Sequence, residues 1–89
     1  MSAVPEQYVI KPDNRSLRAF KGIEEVSFSF PIESVLEEGL ISQILVNTKE
    51  SSWEISLALK NELTPRQIQE LERAITSMVL GLSKVHIKF

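Results

Sequence analysis

The stretch TPRQIQELERAITSMVLG, residues 64–81, constrains the fold more than any other part of the chain. Thr64 is a helix-capping residue whose hydroxyl can accept an orphan amide proton of the first turn. Pro65 follows at the first helical position, where a missing N–H costs nothing, and Gln67 stands where it completes a capping box. Beyond the cap, Ile68, Leu71, Ala74, Ile75, Met78 and Val79 recur at spacings of three and four and form one apolar stripe. Arg66, Gln69, Glu70, Glu72, Arg73 and Thr76 cover the other side, and Gly81 tolerates the positive φ with which helices end. The spacing predicts an amphipathic helix over residues 64–80, which needs a partner surface to be stable.

Two flanking runs have the pattern of that surface. Trp53, Ile55, Leu57 and Leu59 alternate with Glu54, Ser56, Ala58 and Lys60, and Val85, Ile87 and Phe89 alternate with Lys84, His86 and Lys88. Period-two alternation is the mark of a strand with one buried face. A third run, residues 41–47, puts Ile44 and Val46 on one side. The polar residues 48–52 join the first two strands as a hairpin, without the Asn-Gly or Asp-Gly that would fix the turn type. Leu63 precedes the cap as a hydrophobic staple. The expectation is an α+β fold: a small three-stranded sheet packed on one face by the 64–80 helix, a ββαβ core, with the other sheet face polar.

The first half is less regular. Residues 1–15 hold two prolines and one apolar cluster, Tyr8, Val9 and Ile10, and read as an irregular arm whose cluster can dock on the body. A single domain is expected over residues 16–89. For residues 17–30 two readings fit: a short helix built on Leu17, Phe20 and Ile23, weakened by Gly22, or a strand in which Val26, Phe28 and Phe30 alternate with Ser27 and Ser29. Pro31 restricts such a strand to an edge. Pro31 also suits a helix start, and Ile32, Val35 and Leu36 share a face up to Gly39, so a short helix is expected over residues 31–38.

With 89 residues, 43% apolar, the chain is one small domain that buries only roughly 60–65% of its unfolded surface. A net charge of −2 with interspersed signs is a poor electrostatic match for nucleic acid. The chain has no cysteine, which removes disulfides and thiolate metal sites and suits a reducing compartment. No apolar run approaches the roughly 20 residues of a membrane span, so the expected setting is cytoplasmic, without a membrane partner.

Catalytic groupings are weak. His86, the only histidine, lies on the polar face of its strand between Lys84 and Lys88, with no orienting partner visible in the sequence. The paired carboxylates Glu24 and Glu25, Glu37 and Glu38, and Glu70 and Glu72 fall on expected exposed faces. They lack the contrasting environments that acid–base work requires. No metal-ligand cluster or glycine-rich phosphate cradle stands in the sequence, so neither catalysis, metal nor cofactor is expected. Lys60, Lys84 and Lys88 project from the polar sheet face and form the candidate nucleic-acid surface, though without an aromatic residue for base stacking. Trp53 reads as a core residue on the buried register.

The residues Gly39-Leu40-Ile41, Ile44, Val46, Ser52-Trp53, Ile55-Leu57-Leu59, Lys60, Leu63, Ile68 and Leu82-Ser83-Lys84-Val85 carry a resemblance. Residues 39–89 resemble the N-terminal domain of the PolC-type DNA polymerase III alpha subunit of Gram-positive bacteria. The chain departs from that family at Glu54 and Ser56, where His and aromatic residues are common, and residues 1–38 match little of it. The resemblance implies a KH-like domain at the front of a DNA-directed DNA polymerase, a transferase of DNA replication. In that setting this stretch is expected to be non-catalytic and to dock a replisome protein, the clamp-loader tau subunit. The Gly-x-x-Gly loop with which KH domains grip a nucleic-acid backbone is missing, which favours protein over nucleic acid as the partner. Phe28, Phe30, Val35 and Leu36 are the expected partner contacts. The rival readings are a KH-like single-stranded nucleic-acid binder and a stand-alone adaptor or immunity-type protein. A strand running to the last residue raises the expectation that the chain is a fragment. The oligomeric state is left open.

Overall fold

A computed structural model describes residues 6–89 of the chain. The elements, in order, are strand β1 (Gln7–Ile10), 3-10 turns at Leu17–Ala19 and Ile23–Glu25, helix α1 (Ile32–Glu38), strands β2 (Leu40–Asn47) and β3 (Ser52–Ala58), helix α2 (Pro65–Met78) and strand β4 (Lys84–Lys88). The strands form one mixed sheet in the order β1-β2-β3-β4. β1 with β2 and β2 with β3 are antiparallel, while β4 runs parallel to β3 after the α2 crossover. The fold is α+β, with a four-stranded sheet and two α-helices among the described residues.

α2 forms as its sequence dictates. The Thr64 hydroxyl accepts the Gln67 N–H at 3.2 Å and the Gln67 side chain accepts the Thr64 N–H at 3.0 Å, closing the capping box. Gly81 takes φ +81° just beyond the helix. Leu71, Ala74 and Ile75 are buried, and Ile68, Met78 and Val79 pack partly exposed against the core.

Residues paired across strands share a sheet face, so the register sorts the side chains. The rows Tyr8–Val46–Trp53–Val85 and Ile10–Ile44–Ile55–Ile87 lie on the α2 side. The rows Gln7–Asn47–Ser52–Lys84 and Val9–Leu45–Glu54–His86 lie on the other. A bulge at Ser42 shifts the β2–β3 register, which lets Ile41, three residues before Ile44, also face inward. Leu17, Ile23, Val35 and Leu36 from the turns and α1 complete the same core. Gly39 joins α1 to β2 where any Cβ would stand 2.6 Å from the Val35 carbonyl oxygen, a close approach only glycine permits.

The strand count departs from expectation, and the open choice over residues 17–30 is decided. The sheet has four strands rather than three, because Gln7–Ile10, expected within an irregular arm, pairs along β2. Further on, the Ile41 N–H donates to the Arg15 carbonyl at 2.6 Å, and the Arg15 Nε–H donates to the Ile41 carbonyl at 3.1 Å. The first part of the arm, residues 1–5, lies outside the described residues. Val26, Phe28 and Phe30 do not form a strand; the two 3-10 turns, separated by Gly22 at φ +90°, lead into an irregular segment. Phe28 and Phe30 there pack edge to face, with ring centroids 5.4 Å apart.

Candidate interaction surface

The two outer edges of the sheet are finished differently. At β4 the Glu72 carboxylate reaches from α2 and accepts the Ile87 N–H at 2.8 Å, while His86 Nδ1 stands 3.7 Å from the same oxygen. An acidic side chain over backbone donors blocks the pairing of a further strand. At β1 no described side chain plays that part. Tyr8, Val9 and Ile10 are 40%, 49% and 38% exposed, and Gln7–Ile10 contains no charge.

A groove opens at the C-terminal end of α2. Val46, Trp53, Val79 and Leu82 supply its apolar lining, and Thr48 and Ser51 from the β2–β3 turn close one side. Its volume is about 250 Å³. Leu80 stands on the rim and is fully exposed, at 102% of its reference area. The rim is held by the hairpin turn: Asn47 Oδ1 accepts the Glu50 N–H, Ser51 adopts φ +53°, and its carbonyl accepts the Ser83 N–H at 2.7 Å. Val46 and Trp53 sit in the cross-strand row of Tyr8, so the groove and the apolar edge strand share one side of the sheet.

The uncovered sheet face is polar. Gln43, Asn47, Ser52, Glu54, Ser56, Lys84, His86 and Lys88 lie on it with Val9 and Leu45. Lys88 Nζ lies 3.8 Å from Glu54, which offsets part of the positive charge. Lys60 stands exposed beyond the end of β3. No aromatic residue lies on this face among the described residues, because Trp53 and Tyr8 have the opposite register.

The expected contact residues separate into two groups. Val35 and Leu36, expected on a docking surface, are 6% and 1% exposed and belong to the core, because the stripe they share on α1 is turned inward. Phe28 and Phe30 are half-buried against that core. The segment carrying them is clasped to α2: Ser29 donates its hydroxyl proton to one Glu70 oxygen and its N–H to the other, the latter at 2.9 Å. The Ser29 hydroxyl, then the Ser29 N–H, then Arg66, draw the Glu70 pKa below the ordinary carboxylate value. On the other flank, Arg18 bonds to Glu24 and, at 3.2 Å, to Glu33, and both carboxylates raise the guanidinium pKa. Glu24, Glu70 and Glu72 are therefore engaged in holding the fold. Among the described residues, no three His, Asp or Glu side chains converge as metal ligands do. No described helix is long and apolar enough to cross a membrane.

Sequence reasoning missed Leu80, Tyr8 and Val9 as surface features. Leu80 falls off the apolar stripe of α2, one residue before the terminating glycine, and that displacement was its only signal. No protein-family model, curated protein or solved structure matches this chain.

Proposed function

We propose that this chain is a non-catalytic protein-docking domain whose partner seats an apolar segment in the groove at the end of α2. The observation that carries the reading is Leu80, fully exposed on the rim of a groove lined by Val46, Trp53, Val79 and Leu82. A leucine held in water beside an apolar hollow gains from a partner that covers both, and interfaces concentrate their energy at such points. Trp53 in the lining adds the residue type most enriched at these points.

The resemblance of residues 39–89 to the PolC-type N-terminal domain extends the proposal. The parent is then a replicative DNA polymerase, the partner a replisome protein such as the clamp-loader tau subunit, and the setting cytoplasmic. The order α1, β2, β3, α2, β4 supports a KH-like core to which β1 adds an edge strand. Trp53 is the sole tryptophan and reports on the groove directly. Titrating the chain with tau subunit is expected to shift Trp53 emission to the blue. Leu80→Asp is expected to weaken binding by roughly tenfold or more, as loss of an interface anchor does. No binding at about 50 μM, a weak affinity even for a transient complex, overturns the partner assignment. Unchanged affinity in Leu80→Asp overturns the groove.

A second reading, binding of single-stranded nucleic acid, is favoured by Lys84, His86 and Lys88 sharing the open face, with Lys60 nearby. It requires salt-sensitive anisotropy with a labelled oligonucleotide that falls when Lys84 and Lys88 are replaced. Flat anisotropy at low salt removes it.

A further inference from the structure

We propose that two copies of this chain pair antiparallel through the outer edges of β1, with Val9 facing Val9 of the second copy across a two-fold axis, so that both sheets join into one. The inference stands apart from the groove and rests on the backbone of residues 6–11.

β1 ends the sheet, and its hydrogen bonding fixes which groups face out. The Glu6 carbonyl accepts the Thr48 N–H at 2.8 Å, so Glu6 belongs to a hydrogen-bonded pair with β2. Such pairs alternate along an antiparallel ladder. Tyr8 and Ile10 therefore also direct their N–H and C=O groups to β2, and Gln7 and Val9 direct theirs outward. Among the described residues, no side chain guards this edge as Glu72 guards β4.

Symmetry then selects the register. A two-fold axis perpendicular to the sheet keeps both α2 layers on one side, so paired residues must come from the same face. Centring on Tyr8 would set Ile10 against Glu6 and Val9 against Gln7. Centring on Ile10 would set Tyr8 against Pro12 and Val9 against Lys11. Centring on Val9 alone pairs Tyr8 with Ile10, Val9 with Val9 and Ile10 with Tyr8, so each half-exposed apolar side chain meets another. In that register Val9 and its symmetry mate exchange both backbone bonds, and Gln7 does the same with Lys11. Glu6 of one copy then stands opposite Pro12 of the other and Lys11 opposite Gln7, so no like charges are paired across the seam. The seam is short and below the roughly 1,000 Å² of a strong interface, which makes the dimer weak and dependent on concentration.

The chain has no cysteine, so single-cysteine variants read the register directly. Hydrogen-bonded partners lie about 5.5 Å apart at Cα, within disulfide reach, whereas Tyr8 and its own symmetry mate lie beyond about 7 Å. Under mild oxidation Val9→Cys is expected to form a covalent dimer. Tyr8→Cys and Ile10→Cys are each expected to stay monomeric alone and to cross-link when mixed. Sedimentation equilibrium of the unaltered chain is expected to rise from 10.1 kDa towards twice that mass with concentration. Val9→Pro, which removes an outward N–H and leaves the β1–β2 ladder intact, is expected to abolish that rise. A mass that stays at 10.1 kDa up to about 1 mM, beyond the weak range expected of so small an interface, overturns the proposal. Equal cross-linking at all three positions overturns the register.

Discussion

At the scale of single residues, three carboxylates that a catalytic reading would group are each engaged in architecture. Glu24 holds Arg18, Glu72 covers the Ile87 N–H, and Glu70 receives both protons that Ser29 can give. Glu70 makes a pH prediction whose sign follows from linkage. Its folded pKa is depressed, first by the Ser29 hydroxyl, so the unfolded chain binds that proton more tightly. The stabilisation is fully present above the ordinary carboxylate value, roughly pH 4, and is lost as pH falls through the depressed folded value. Glu70→Gln is expected to lower stability at pH 7 and to bring the two proteins together as the medium is acidified towards roughly pH 2, in urea melts at stepped pH. A constant gap across that range would detach Ser29 from the acid response.

At the scale of elements, local signals were enough where they were complete. α2 carried its own start, stripe and stop in Thr64, Gln67, the Ile68-to-Val79 spacing and Gly81, and it forms accordingly. The capping box predicts that Thr64→Ala costs about 1 kcal/mol in denaturant unfolding, since it strands a first-turn N–H. A change within about 0.2 kcal/mol, far below an ordinary capping effect, would show the box to be idle. β3 and β4 were equally legible from their alternation. β1 was not, because Tyr8-Val9-Ile10 has no alternation and becomes a strand only through its ladder with β2, a long-range pairing that overrides local pattern. The Val26-Phe28-Phe30 alternation, one of two readings open for residues 17–30, does not become a strand. Its aromatics pack half-buried against the core, and Ser29 between them is bonded to Glu70 of α2. The Ser42 bulge was likewise invisible, since it is a matter of register between two strands rather than of either alone.

At the scale of the whole molecule, one sheet has one face under helices and turns, one polar face, one edge guarded by Glu72 and one edge that no described side chain guards. Among the described residues, the β1 edge, the adjoining groove and the polar face are the surfaces on which the proposed docking is tested. The candidate site was hardly visible in the sequence because Leu80, Trp53 and Val46 come together only when α2 ends over the β2–β3 hairpin. The β1 segment is a true strand with alternate amides turned outward. Amide hydrogen exchange at a concentration low enough to keep the chain monomeric tests it residue by residue. Protection is expected at Tyr8 and Ile10, whose N–H groups face β2, with rapid exchange at Gln7 and Val9. Uniformly rapid exchange over residues 7–10 would return this segment to an irregular arm and remove the edge on which the dimer depends.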